Sequence, residues 1–253
     1  MTGFGAFLGK EVREIFRTWR IWVLPGMMLF FALTSPVIAL ITPSLVASVF
    51  KSESGIAVQL PDPTALDAYG QFLKNLDQLF LLTLIIATAG VVSGERRSGT
   101  AVLVLTKPLS RRGFILAKIL SQQGLVLMVA VLGTAVCLGL TEVLFDDPPA
   151  GRLLQAIGLW LALVLLMVPL MVFLSTLLPT QGAAGAGVGM YFLFLLLGLW
   201  PPAARFTFAG LSAAEQKVLT GVDVGVTWPI VTAILAAVLF SGLAIWRFER
   251  SEL

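Results

Sequence analysis

The sequence predicts an all-α membrane protein with six transmembrane helices. Of its 253 residues, 58% are apolar and only 12% are charged, whereas about a quarter of the residues of a soluble domain are charged. Six apolar segments are separated by polar stretches, and a helix that spans a bilayer needs about 20 mainly apolar residues. We therefore expect one transmembrane domain over residues 1–253, with no room for a second folded domain.

The first predicted element is an amphipathic helix over residues 4–20. Apolar residues recur there every three or four positions, with charged residues between them. The apolar positions are Phe4, Leu8, Val12, Ile15, Trp19 and Trp22. A helix with a basic face and tryptophans suits the headgroup layer of a membrane. We expect it to lie flat on the inner surface; the alternative is a first span that begins early.

The predicted spans cover residues 21–41, 64–94, 114–141, 153–178, 182–200 and 227–246. The apolar part of the second span is short, because only 16 residues separate Gln78 from Glu95 and they would cover about 24 Å as a helix. We therefore expect one long helix that begins near Thr64. Gln71, Asn75 and Gln78 then share one face, which should meet protein or a water-filled vestibule rather than lipid. Alternatively, residues 64–78 form a solvated helix outside the membrane.

The distribution of basic residues predicts the orientation. With the N-terminus in the cytoplasm, twelve of the 17 Lys and Arg residues lie on the inner side, together with few acidic residues. Lys and Arg in short loops favour the cytoplasmic side. The sequence thus predicts a multi-pass protein with both termini in the cytoplasm.

A long inner loop, residues 95–112, joins the second and third spans. Its apolar core, Ala101 to Leu105, is far too short to span a membrane and lies between Gly99 and Pro108. We expect one or two helical turns whose apolar side needs a protein or lipid headgroups to cover it. The alternative is a plain basic loop that only fixes orientation.

The residues of this loop resemble a known family. The relevant run is Glu95-Arg96-Arg97-Ser98-Gly99-Thr100, followed by Leu103-Val104-Leu105-Thr106-Lys107-Pro108-Leu109-Ser110-Arg111 and, in the next helix, Lys118. It looks like the cytoplasmic loop of permease subunits of ATP-binding-cassette exporters of the type-2 class. The resemblance extends over nearly the whole chain, including Pro61-Asp62-Pro63-Thr64 before the second span.

The resemblance implies a coupling helix between spans two and three that docks into a separate ATPase, present in two copies. The residues it assigns to ATPase coupling are Glu95, Arg96, Arg97, Gly99, Thr100, Leu103, Leu105, Lys107, Pro108 and Arg111. The family usually has an acidic residue soon after the Gly-Thr pair, but here Ala101, Val102 and Leu103 come next. The docking surface should therefore be more apolar.

The resemblance also implies a path between this chain and a second permease subunit, identical or related. Gln71, Asn75 and Gln78 become candidates for the translocation path or gate. Gly182, Gly185 and Gly189 allow close helix approach and are assigned to helix packing or the dimer contact, intrachain packing being the alternative. Residues 201–226 should form an extracellular re-entrant connection rather than an ordinary exposed loop.

Several other classes of protein are disfavoured by what the sequence lacks. It has no His and a single Cys, Cys137, which leaves no evident metal or thiol site. It has no phosphate-binding loop, since the glycine spacing before Lys10 is wrong and Glu11 comes directly after. We expect no catalytic residue and no cofactor on this chain, with ATP and Mg²⁺ on the partner.

An ion-coupled carrier or an intramembrane enzyme would need buried ionisable groups. We expect none in spans one, three, four, five and six. The resemblance implies a permease that exports across the plasma (inner) membrane of a prokaryote, with the lipid bilayer but no nucleic acid as a partner. A channel or scaffold that is not driven by ATP is the alternative.

Overall fold

Helices make up nearly all of the computed structural model, which describes residues 3–54, 61–100 and 109–251. No β-strand occurs in these ranges. The helices are α1 (Gly3–Arg17), α2 (Arg20–Ser54), α3 (Ala65–Asn75), α4 (Leu81–Thr88), α5 (Ser93–Arg97), α6 (Arg111–Leu144), α7 (Ala150–Leu177), α8 (Thr180–Gly198), α9 (Pro201–Phe206), α10 (Leu211–Leu219) and α11 (Thr227–Glu249).

Six helical segments are long and apolar enough to cross a membrane. They are Arg20–Phe50, Ala65–Arg97, Arg111–Leu144, Ala150–Leu177, Thr180–Gly198 and Thr227–Glu249. The predicted all-α class with six spans is thereby confirmed. Helix α7 lies at the centre, packed against α6, α8, α10 and α11, and most of its side chains are buried.

The bundle has two ends, named here by the helices that lie there. The α1 end is where α2, α6 and α8 begin, and the α10 end is where α3, α7 and α11 begin. Both described chain termini, residues 3 and 251, lie at the α1 end.

Helix α1 packs against α6. Phe7, Glu11 and Ile15 are buried, whereas Val12 is 41% and Trp19 is 51% exposed. Glu11 belongs to the buried face because it has an ion-pair partner inside the bundle. The predicted contact of the apolar stripe with the headgroup layer stays a prediction.

The second span is not the single uninterrupted helix that the sequence suggested. It begins with a capping box in which Asp67 N–H donates to Thr64 Oγ1 (3.4 Å) and Thr64 N–H donates to Asp67 Oδ2 (2.9 Å). A π-helical turn then covers Leu76–Phe80, and residues 89–92 form a tight turn before α5. Because a π turn inserts an extra residue, side chains after it point in a new direction.

Candidate functional site

Four buried or half-buried charges form a closed ring at the α1 end. Lys118 Nζ lies 2.9 Å from Glu95 Oε1 and 3.1 Å from Glu11 Oε2. Lys10 Nζ lies 3.0 Å from Glu95 Oε1 and 3.0 Å from Glu11 Oε1, and it also pairs with Glu14. Lysine and glutamate thus alternate around the ring, which joins α1, α5 and α6. We call it the charge ring (Lys10, Glu11, Glu95, Lys118).

The charge ring is deeply placed. Lys118 is only 2% exposed and Glu11 only 4% exposed, so neither charge is solvated by water to any extent. Beneath the ring, Phe114 stacks on Phe7 at 5.2 Å and on Phe248 at 5.0 Å between ring centroids. This apolar floor lowers the local dielectric, which strengthens each ion pair and makes an unpaired charge costly.

Electrostatics keeps the ring paired over the physiological pH range. Burial opposes the charge of Lys10, but the carboxylates of Glu14, Glu11 and Glu95 raise the pKa of its ammonium above the usual range. A raised lysine pKa adds stability below the unfolded pKa of about 10.4, and this stability is lost only as the pH rises through the folded pKa. Glu11, Glu14 and Glu95 lie close enough to suggest a metal site, yet the ammonium groups of Lys10 and Lys118 already balance two of the three negative charges.

The tight turn at residues 89–92 is fixed by one side chain of α7. The Ser175 hydroxyl accepts hydrogen bonds from the backbone N–H of Val92 (3.1 Å) and of Ser93 (3.0 Å). It also lies 2.7 Å from the carbonyl oxygen of Ala89, to which it donates. Because these backbone groups have left the helical pattern, Ser175 satisfies donors that would otherwise be buried without partners.

Both described ends of the loop between spans two and three are anchored to other spans. Arg96 Nη1 donates to the carbonyl oxygen of Thr176 at 3.1 Å. Arg111 Nη1 donates to the carbonyl oxygens of Glu249 and Ser251, each at 2.9 Å, and thereby caps the last turn of α11. The loop thus starts and ends on side chains held by α7 and α11.

The remaining residues predicted for coupling fall into two groups. Arg97, Gly99 and Thr100 lie at the exit from α5, where Gly99 has φ +73° and the Ser98 and Thr100 hydroxyls are 2.8 Å apart. Leu103, Leu105, Lys107 and Pro108 lie outside the described residues. The structure therefore describes the two anchors of the predicted coupling helix and not the helix itself.

A cavity of about 840 Å³ opens near the α10 end. Its wall comes from α2, α3, the π turn, α8 and α10, and mixes apolar and polar side chains. Of the three residues predicted for the path or gate, Gln71 and Gln78 line the cavity and Asn75 is absent from the lining. Instead, the Asn75 amide donates to Ser35 Oγ on α2 at 3.1 Å.

Comparison with known proteins identifies the family. The model of the "ABC-2 family transporter protein" family matches residues 6–220. The chain belongs to the ABC-2 transporter family. YxlG, an uncharacterized transmembrane protein of Bacillus subtilis, is 26% identical over 98% of this chain and 97% of its own length. NosY, a probable ABC transporter permease of Pseudomonas aeruginosa, is 34% identical over 46% of this chain and 44% of its own length.

The match confirms the resemblance on which the sequence analysis relied. The chain is a membrane permease of the ABC-2 type, a class whose members are components of transport and not themselves catalytic.

The glycines of α8 divide into two groups in this ABC-2 permease. At Gly185 and Gly189 an added Cβ would meet nothing within 4 Å in the described chain, whereas at Gly187 it would lie 2.3 Å from Met171 Sδ. Gly182 approaches only the neighbouring Leu178 and Pro179. Intrachain close packing therefore uses Gly187, and the outward pair, Gly185 and Gly189, stays available for another chain or lipid.

The expectation of no buried ionisable groups in most of the spans was wrong for this ABC-2 chain. Lys118 is buried in the third spanning helix. Two acids are buried as well, Asp77 on the π turn and Glu215 on α10. Nothing in the sequence marks Glu215, because its burial depends on how α10 packs against the other helices.

Proposed function

We propose that this ABC-2 permease forms the membrane path of an exporter that a separate ATPase drives. Two ATPase copies would bind ATP and Mg²⁺, and a second permease subunit, identical or related, would complete the path. The observation that carries the proposal is the anchoring of residues 95–112 at both described ends, through the charge ring and through Arg111.

The anchoring supports coupling for a mechanical reason. A loop that only fixes orientation needs no rigid attachment, whereas a loop that transmits force must be tied to the helices it moves. Glu95 ties its start to α1 and α6, and Arg96 ties it to α7. A displacement of the loop would then move several spans together and shift the balance between two conformations of the bundle.

The proposed orientation places the α1 end in the cytoplasm of a prokaryote, at its plasma membrane. That end carries most of the Lys and Arg residues, including Lys10, Arg96 and Arg111, as the positive-inside rule requires. Helix α1 would then lie in the inner headgroup layer, and α9 and α10 would form the re-entrant connection on the outer side.

The proposed path lies between two permease copies. The cavity near the α10 end is built partly from α2 and α8, and α8 turns Gly185 and Gly189 outward. A second copy packed on these glycines would close the cavity from the side, because small residues let helices approach closely in a membrane.

Affinity purification of the tagged chain from its native membrane, followed by native mass spectrometry, tests this function. We expect an assembly of two permease and two ABC ATPase chains that hydrolyses ATP. A chain that purifies without an ATPase, while its transport persists when ATP is depleted, would favour the alternative of a channel or scaffold and contradict the proposal.

A further inference from the structure

Two buried carboxyl groups meet beside the cavity near the α10 end. Asp77 is 9% exposed and Glu215 is fully buried, and the two carboxyl groups lie close enough to interact directly, with Ser212 next to Asp77. Among the described atoms, Asp77 Oδ1 and both carboxyl oxygens of Glu215 have no donor. The ion pairs formed by the described residues include neither acid. We call these two residues the carboxyl pair (Asp77, Glu215).

The carboxyl pair must hold a proton when no cation is present. Two carboxylates in contact cannot both ionise cheaply in a buried place, so one of them stays protonated and donates to the other. Burial, and next to it the charge of Asp77, raises the pKa of Glu215 well above its usual range. The pair therefore carries one negative charge and one shared proton.

The other titratable groups around the pair do not neutralise it. Tyr191 of α8 is neutral, and its hydroxyl donates to the backbone carbonyl of Asp77. Lys74 of α3 is exposed on the cavity wall, and Arg152 of α7 lies beside Gly221, beyond the end of α10. The remaining charge of the pair is thus open to a partner from the cavity.

The side chains that line the cavity around this charge are both polar and apolar. Asp77 lines the wall, and Gln71, Gln78, Gln216 and Tyr191 lie around it as neutral hydrogen-bonding groups. The rest of the lining includes Ala39, Val46, Leu66, Leu195 and Leu219. A volume of about 840 Å³ falls within the range of sites for drug-sized molecules. Asp62, Asp67 and Lys74 also line the cavity but are exposed, so Asp77 is the buried charged group of the described lining. A largely apolar wall with one buried acid matches a molecule that has an apolar body and a single cationic head.

We propose that this cavity binds amphipathic ammonium compounds, whose N–H groups are accepted by Asp77 on the cavity wall, with the buried Glu215 carboxylate behind it, in place of the shared proton. The ammonium remains protonated, the shared proton leaves to water, and the two carboxylates together hold the new cation. The assignment names the cargo class of the proposed exporter and rests on that proposed function. A bare Ca²⁺ ion fits less well, because it prefers six to eight oxygen ligands.

The test is isothermal titration of octylammonium into the chain in lipid nanodiscs at pH 7, in two buffers that differ in ionisation enthalpy. Empty nanodiscs give the background from partitioning. We expect saturable binding with the release of close to one proton per bound ammonium, and no saturable binding of octanol. Equal binding of octanol and octylammonium would overturn the proposal.

Single substitutions distinguish the contribution of Asp77 to octylammonium binding from that of Glu215. D77N should weaken octylammonium binding at least tenfold, and D223N, which removes an exposed acid at the same end, should leave it unchanged. In E215Q, Asp77 is already ionised and accepts from the new side-chain amide at position 215, so binding should persist with little proton release. If D77N fails to fold, the proton count of E215Q decides: a count equal to that of the wild type would contradict the proposal.

The titration needs no ATPase, so its failure is distinguishable from failure of the proposed function. An assembly that contains the ATPase but shows no ammonium binding would refute the cargo class alone. Ammonium binding by a chain that never associates with an ATPase would refute the exporter alone.

Discussion

Replacing Lys118 with Met should lower the free energy of unfolding by about 3–5 kcal/mol, the usual cost of breaking a buried ion pair. Lys118 is 2% exposed and is paired with both Glu11 and Glu95. Met has similar length but cannot neutralise the two buried carboxylates that remain. The measurement is a denaturant titration of the purified chain in mixed micelles, monitored by tryptophan fluorescence.

Two further variants show whether unpaired buried charge causes the loss of stability in K118M. K118M/E11Q/E95Q should recover much of the stability, because no uncompensated buried charge remains. R112M removes the Arg112–Glu249 pair, in which Arg112 is well exposed, and should change stability little because solvent screens that pair. Equal stability of K118M and the wild type would show that the charge ring does not hold α6 to α1 and α5.

Replacing Gly99 with Pro should uncouple ATP hydrolysis from transport. Gly99 has φ +73° and its N–H donates to the carbonyl oxygen of Arg96 at 3.2 Å. Proline fixes φ near −65° and has no N–H, so the chain must leave α5 in a different direction. We expect transport per ATP hydrolysed to fall at least tenfold in reconstituted vesicles, while basal hydrolysis by the ATPase continues.

Gly99→Asn is the matched control, because Asn enters the left-handed region more readily than other non-glycine residues and keeps the N–H. It should retain most of the coupling. A G99P assembly that transports as efficiently as the wild type would mean that the exit from α5 transmits no force.

The sequence predicted the parts of the fold that depend on local composition. Apolar segments predicted the six spans, and the shortness of the apolar part of the second span predicted that its helix begins near Thr64. The charge ring depends on pairing between Lys118 and Glu11, which lie 107 positions apart. Nothing in the spacing of either residue indicates that partner, so the charge ring could not be predicted from the sequence.

The lining of the cavity was predicted only in part. Gln71 and Gln78 both line it, although a π turn begins at Leu76, before Gln78. Asn75, which directly precedes that turn, donates to Ser35 of α2 instead. A π turn has no firm sequence signal, and Glu215 meets Asp77 only once α10 packs against the second span.

The central claim is that a separate ATPase binds the loop between spans two and three. Crosslinking from position 103 tests this claim most directly. A photoreactive phenylalanine analogue at position 103, with Val131 on the exposed face of α6 as the control position, is irradiated in native membranes. We predict a covalent adduct between position 103 and an ABC ATPase, and none from position 131. Adducts with lipid alone at position 103 would contradict the claim.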